Sequence, residues 1–202
     1  MDLAAKTTLA ETNLPPAARQ TGVAASYDGT WLAALRSLDG GEGANQILVY
    51  RGYPSEFGDG LSLGLRANYL GDAERMRYAG AAFASGLNAI VIAGDDGVVR
   101  AWSLDSFAPI AGVESGVVDA AKFVYDQYNE AAWVLGKIAG ASGRPAREGT
   151  GYAIGRVDLR AKRQSLYPVS LGRGAVMQTL GRSGKLWVAD PASGKAMVLD
   201  RP

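Results

Sequence analysis

Four times along the chain a run of small residues leads into a turn, a strongly apolar run, a second turn or loop, and a further alternating run. The first copy is GVAASYDGTWLAAL followed after a loop by QILVYRG, residues 22–52, and the second is GAAFASGLNAIVIAGDDGVVRAWSLD, residues 80–105. The third joins DAAKFVYDQYNEAAWVLGKI to GYAIGRVDLR, residues 119–160, and the fourth is GAVMQTLGRSGKLWVADPASGKAMVLD, residues 174–200. Short apolar runs bounded by turn residues predict strands rather than helices. Asp28-Gly29, Asp96-Gly97, Ser183-Gly184 and Ser193-Gly194 supply the positive φ that tight hairpin turns require, so each copy predicts a set of antiparallel strands joined by hairpins.

A strand-turn-strand unit of this size cannot bury its own apolar face and must stack on its siblings. The expectation is an all-β fold, a β-propeller-like domain of about four blades over residues 22–79, 80–118, 119–173 and 174–202, with residues 1–21 as an amino-terminal closing segment. An open propeller arc and a two-sheet β-sandwich are the structural alternatives. Trp31, Ile90, Trp133 and Trp187 fall at one repeat position and predict a single shared core layer. The last copy stops after its third strand while Lys6–Thr12 precedes the first, which predicts that the amino-terminal strand completes the final blade and hides an open edge. The copies begin at Gly22, Gly80, Asp119 and Gly174; the long first and third intervals carry insertions at 53–79, with an outer strand near Leu61–Leu65, and at 139–151, a Gly-rich basic loop.

The run AAFASGLNAIVIAGDDGVVRAWSLD, in which Asp96-Gly97 opens the third strand and Trp102 closes it, resembles WD40 and related propeller repeats. Asp119-Ala120-Ala121 with Phe123 is similar to the repeat opening of hemopexin-like propellers. The sequence departs from the WD40 pattern in having no Gly-His pair and in placing Ser103 after Trp102. What the resemblance implies is a binding platform whose partners are selected by loops.

Charge and composition narrow the chemistry. With 21 basic and 20 acidic residues the net charge is +1, so no global field draws the chain toward nucleic acid. Cysteine and histidine are both absent, which removes disulfides, thiolate nucleophiles, sulfur or imidazole zinc sites and histidine-based proton relays. No run approaches the roughly 20 apolar residues of a membrane helix, so the chain is expected to be soluble, in the cytoplasm or in a virus particle.

No cofactor, metal or catalytic residue is expected. Asp95-Asp96-Gly97 is read as a hairpin turn before it is read as a cation site, and Gly181–Lys185 lacks both the first glycine and the hydroxyl of a phosphate loop. The local anomaly is basic: Arg144, Arg147, Arg156, Arg160, Lys162, Arg163 and Arg173 face only Glu148 and Asp158. Converging on one face, they would dock an acidic protein surface, a phosphate or nucleic acid; strand alternation favours the plainer reading, a solvated outer strand and loop whose charges point apart. Tyr53, Phe57, Tyr69 and Tyr78 in the first insertion are candidate contact aromatics. The functional expectation is a non-catalytic structural or docking module that binds protein partners, or copies of itself in a virion or other large assembly. The alternative is a propeller-type lactonase or glycosidase that holds a divalent metal on carboxylates drawn from Asp28, Asp39, Asp95, Asp96 and Asp126.

Overall fold

Hairpin turns and short apolar runs produce a series of antiparallel meanders. The structure, a computed structural model, describes residues 17, 19–54, 61–70, 76–140 and 151–200. Sheet 1 holds β1 (Arg19–Ala25), β2 (Trp31–Ser37), β3 (Gln46–Pro54) and β4 (Leu61–Leu70); sheet 2 holds β5 (Tyr78–Ala84), β6 (Ala89–Gly94), β7 (Val98–Ser103) and β8 (Pro109–Glu114). Sheet 3 holds β9 (Val117–Asp126), β10 (Ala131–Ile138), β11 (Tyr152–Asp158) and β12 (Arg163–Val169), and sheet 4 has three strands, β13 (Val176–Thr179), β14 (Leu186–Asp190) and β15 (Lys195–Leu199). Strands adjacent in the chain are neighbours in every sheet, all pairs are antiparallel, and the described residues contain no α-helix. The chain is therefore all-β, built from four antiparallel sheets of three or four strands. Lys6–Thr12, the expected closing strand, lies outside the described residues.

The sheets stack in chain order. Ala33, Leu35, Ile47 and Val49 of sheet 1 meet Phe83, Ile90 and Ile92 of sheet 2 in one apolar cluster. A second cluster joins Val91, Ala93, Val99 and Ala101 of sheet 2 to Tyr125, Ala132, Val134 and Val157 of sheet 3. A third joins Trp133, Leu135 and Ile154 of sheet 3 to Met177, Leu186 and Val188 of sheet 4. Alternation explains the division: in β6, odd-numbered Val91 and Ala93 face sheet 3 while Ile90 and Ile92 face sheet 1, so every residue of the strand is buried. The leading strands also touch in order, β1 against β5, β5 against β9 and β9 against β13. Among the described residues no apolar cluster joins sheet 4 to sheet 1.

Gly97 shows how closely consecutive sheets are fitted. It turns the β6–β7 hairpin at φ +80°, and a Cβ there would lie 2.8 Å from the Val117 carbonyl carbon at the start of β9. Its carbonyl oxygen accepts from Ser115 N at 2.9 Å and from Ser115 Oγ at 2.6 Å. A hairpin of sheet 2 is thereby fastened to the connection that launches sheet 3.

The four large residues at the shared repeat position do not form one layer. Trp31 looks toward sheet 2, with ring centroids 6.4 Å from Phe83 and 6.0 Å from Phe107. Trp133 looks toward sheet 4 and is fully buried, whereas Ile90 looks back toward sheet 1. Trp187 points the same way along the stack as Trp31 and Trp133, but no described sheet follows, and it remains 49% exposed. The reason is that alternation and the presence of a next sheet, rather than repeat position, decide what a side chain meets.

Candidate functional site

The starts of the leading strands converge on a cavity of about 770 Å³. Arg19, Gln20 and Thr21 of β1, Tyr78 and Ala79 of β5, and Asp119–Lys122 of β9 line it, joined by Glu42–Ala44, Arg77, Asp95, Arg173 and Gly174 from the preceding loops and turns. All four sheets or their leading connections contribute. Small residues at Gly43, Ala44, Ala79, Ala120, Ala121 and Gly174 leave the space open, and long charged side chains ring it.

Several of those charges are already paired. Arg77 is held by Asp39 at 2.5 Å, Lys137 beside the rim by Asp119 at 2.8 Å, and Arg173 reaches across the opening to Glu42 at 3.5 Å. The Arg77 guanidinium, with the Gly41 N–H and the Ser37 hydroxyl donating to the same carboxylate, holds Asp39 well below the usual carboxylate range. Asp95 behaves oppositely: burial pushes its carboxyl up, and its Oδ1 has no hydrogen-bond partner among the described residues. The rim thus carries both cations and anions, several of them paired with one another.

Of the basic residues singled out in the sequence, Arg144 and Arg147 lie outside the described residues. Arg156 lies over the Trp133 ring, 5.6 Å from its centroid, between sheets 3 and 4. Arg160 pairs with Glu130 and donates to the Gly86 carbonyl at 2.9 Å, tying the β11–β12 turn to sheet 2. Lys162 and Arg163 are exposed beside it at the same turn, at the opposite end of the sheets from the cavity, whereas Arg173 is at the cavity rim. The structure groups Arg160, Lys162 and Arg163 and separates them from Arg156 and Arg173.

The aromatics divide similarly. Tyr78 is buried at 5% exposure, exchanges backbone hydrogen bonds with Ala44 and forms part of the cavity wall. Tyr69 packs on Trp102 at 4.9 Å, and burial pushes its hydroxyl up to about 12. Tyr53 lies in β3 opposite Ser62, and Phe57 lies outside the described residues. A second hollow, about 470 Å³, runs between sheets 2 and 3 past Val98, Glu114, Val117, Gly140, Gln164 and Leu166, so the described start of the basic insertion opens onto it.

Three of the carboxylates considered for metal or acid chemistry, Asp28, Asp96 and Asp126, are held at their own hairpin turns. Asp28 accepts from Ser26 and Thr30, Asp126 from the Tyr128 and Asn129 backbone, and Asp96 from Arg100 at 2.5 Å. Asp28 and Asp126 lie at one end of their sheets and Asp39, Asp95 and Asp96 at the other. No group of three or more potential metal ligands occurs among the described residues. Arg19, Glu42 and Lys122, which line the cavity, are residues that sequence reasoning passed over; they stand at the start of β1, in the β2–β3 loop and within β9, and share no motif or spacing that would have singled them out.

Fold and cavity together define an all-β protein of stacked antiparallel sheets with a charged opening at one end. No protein-family model matches the chain, and no curated protein matches it. Among solved structures it is similar to U3-55K at 14% identity and a TM-score of 0.52, over 91% of this chain and 52% of that one. The chain spans about half the length of that neighbour. No helix among the described residues is long and apolar enough to cross a membrane.

Proposed function

We propose that the chain is a propeller-like arc of four blades acting as a docking module for protein partners, with the charged opening as its contact surface. The observation that carries this reading is the rim itself: Arg19, Glu42, Arg77, Asp119, Lys122 and Arg173 come from segments spread over some 150 residues, yet gather around one cavity. A rim of mixed sign selects its partner by charge register and orients it before contact. The insertion at 53–79 ends at this rim through Arg77, which is how a variable loop would tune specificity without disturbing the sheets. The module acts without catalysis in this reading, and its sheets serve as a rigid frame.

The test uses Lys122→Glu together with Arg173→Glu. Both side chains are largely exposed, so the variant is expected to melt within about 1 kcal/mol of wild type. Native mass spectrometry of the chain isolated from its source is expected to show a stoichiometric protein partner that the double variant loses. A partner retained by the variant moves the contact away from the rim. A thermal shift with calcium, magnesium or a sugar, accompanied by turnover, would replace this reading with the enzymatic one.

A further inference from the structure

Among the carboxylates that line the cavity, Asp95 is the one whose charge no described residue answers. It lies in the β6–β7 turn and is half-buried. Four charged groups act on it, Arg77, Asp96, Arg100 and Asp119. All four are engaged elsewhere. Arg77 holds Asp39 through both terminal nitrogens at 3.2 and 2.5 Å, Arg100 holds Asp96 in the same forked way at 3.0 and 2.5 Å, and Asp119 takes Lys137 at 2.8 Å. Three matched pairs leave Asp95 as the remainder.

Corresponding turns satisfy their carboxylates. In the β2–β3 connection Asp39 accepts from Ser37 Oγ at 2.8 Å and Gly41 N at 3.0 Å, and at the β14–β15 turn Asp190 accepts from Ser193 Oγ at 2.9 Å and Ala192 N at 3.1 Å. Asp96, the next residue, accepts from Val98 N at 3.1 Å. Asp95 Oδ1, by contrast, is enclosed with no hydrogen-bond partner among the described residues. Burial outweighs the nearby Arg77 and Asp95 N–H groups, and the Asp96 and Asp119 charges add to it, so the carboxyl is pushed up. A cation brought to such a group relieves an uncompensated charge.

The geometry also selects the cation. With one oxygen enclosed, the carboxylate cannot take both prongs of a guanidinium as Asp39 and Asp96 do, whereas a single remaining oxygen suits the compact ammonium of a lysine. Lys137 on Asp119 is this one-point pairing within the chain itself. Gly43, Ala44, Ala79 and Ala120 line the approach, and such short side chains leave room for an apolar stem. We propose that Asp95 seats a lysine side chain of the protein partner, its ammonium entering the cavity and pairing with the carboxylate. The seat is built by sheets 1, 2 and 3, and sheet 2 is covered on both faces. This inference rests on the docking reading and names the chemistry that the partner must bring.

The test titrates the full chain with the tripeptide acetyl-Gly-Lys-Gly-amide up to about 20 mM and follows the side-chain carboxyl carbons by NMR, the Asp95 signal being the one that Asp95→Asn removes. The lysine peptide is expected to move that signal saturably. Asp95→Asn removes a buried charge and stays folded; binding to it, read at the Asp96 and Asp119 signals, is expected to weaken by about 10-fold or more. The peptide with norleucine in place of lysine should leave Asp95 unmoved, and the arginine peptide should bind more weakly. No saturable shift in wild type, equal binding of the norleucine or arginine peptide, equal binding by Asp95→Asn, or a shift of Asp95 produced by calcium alone overturns the proposal. So does a wild-type chain that stays silent until Lys122→Ala frees Asp95, since the seat is then filled from within. The two readings fail separately. A native partner lost by the Lys122→Glu, Arg173→Glu variant but kept by Asp95→Asn sinks the lysine seat alone, whereas a lysine peptide bound at Asp95 beside a partner indifferent to both variants sinks the docking reading alone.

Discussion

Replacing Gly97 by alanine tests the claim that consecutive sheets are fastened through their hairpins. At φ +80° any side chain adds about 1 kcal/mol of backbone strain. The same strain arises alone at Gly29, φ +72°, where a Cβ would meet nothing within 4 Å. At Gly97 the new Cβ would run into the Val117 carbonyl oxygen and sit 2.8 Å from its carbon, against an ordinary separation of about 3.5–4.0 Å between carbons, so β9 must retreat by more than about 1 Å. Forcing well-packed elements apart costs about 1–3 kcal/mol. The two Ser115 hydrogen bonds to the Gly97 oxygen would weaken as well, each contributing about 1 kcal/mol. Gly97→Ala is therefore expected to lose about 3–5 kcal/mol and Gly29→Ala about 1 kcal/mol, measured by urea denaturation followed by circular dichroism. For a chain of this size the first loss lowers the melting temperature by roughly 10 °C. Two variants within 1 kcal/mol of each other would refute the fastening, because strain alone would then account for both.

Two further substitutions probe buried polar groups. The Tyr69 hydroxyl is buried with no partner among the described residues, so Tyr69→Phe removes a desolvated group without breaking a hydrogen bond; it is expected to stabilise by about 1 kcal/mol in urea denaturation, and a loss of that size would mean a partner exists. Asp95 has its carboxyl pushed up by burial, so the ionised group opposes folding at neutral pH and that opposition disappears as the pH falls through its folded value. Asp95→Asn should accordingly melt higher than wild type at pH 7, with the difference shrinking towards pH 3; a gain independent of pH would point to something other than charge.

The four sheets were legible because the two strongest local signals agree. Asp28-Gly29, Asp96-Gly97, Ser183-Gly184 and Ser193-Gly194 all carry positive φ at the glycine, and the apolar runs between turns became β2, β6, β10 and β14, the second strand of each sheet. The outer strand expected near Leu61–Leu65 is β4, Leu61–Leu70. Side-chain direction was less legible. Trp133 and Trp187 occupy equivalent positions, yet one is fully buried and the other half exposed, because burial depends on a following sheet that no local pattern encodes. The cavity rim was hidden for a related reason: Glu42 and Arg173 are far apart in sequence and neither belongs to a motif, so only stacking brings them to 3.5 Å. The described members of the basic cluster are near one another in sequence but lie on a strand face, a turn and a connection, so spacing alone does not say which of them share a face.

The position of Trp187 also bears on how the stack holds itself together. In an array whose units touch only their neighbours, each unit is stabilised by its own strands and by the interfaces on either side. Sheet 2 has both, and all of β6 is buried as a result. Among the described residues sheet 4 has three strands where the others have four, and one apolar interface, through Met177, Leu186 and Val188. Its uncovered face keeps apolar surface in water, at a cost of about 25 cal/mol for each Å² that a further sheet would cover. The force that seats Trp31 on sheet 2 and Trp133 on sheet 4 acts on Trp187 as well, and because Trp187 meets no further sheet among the described residues, the same repeat position that consolidates the stack twice leaves its third indole 49% exposed.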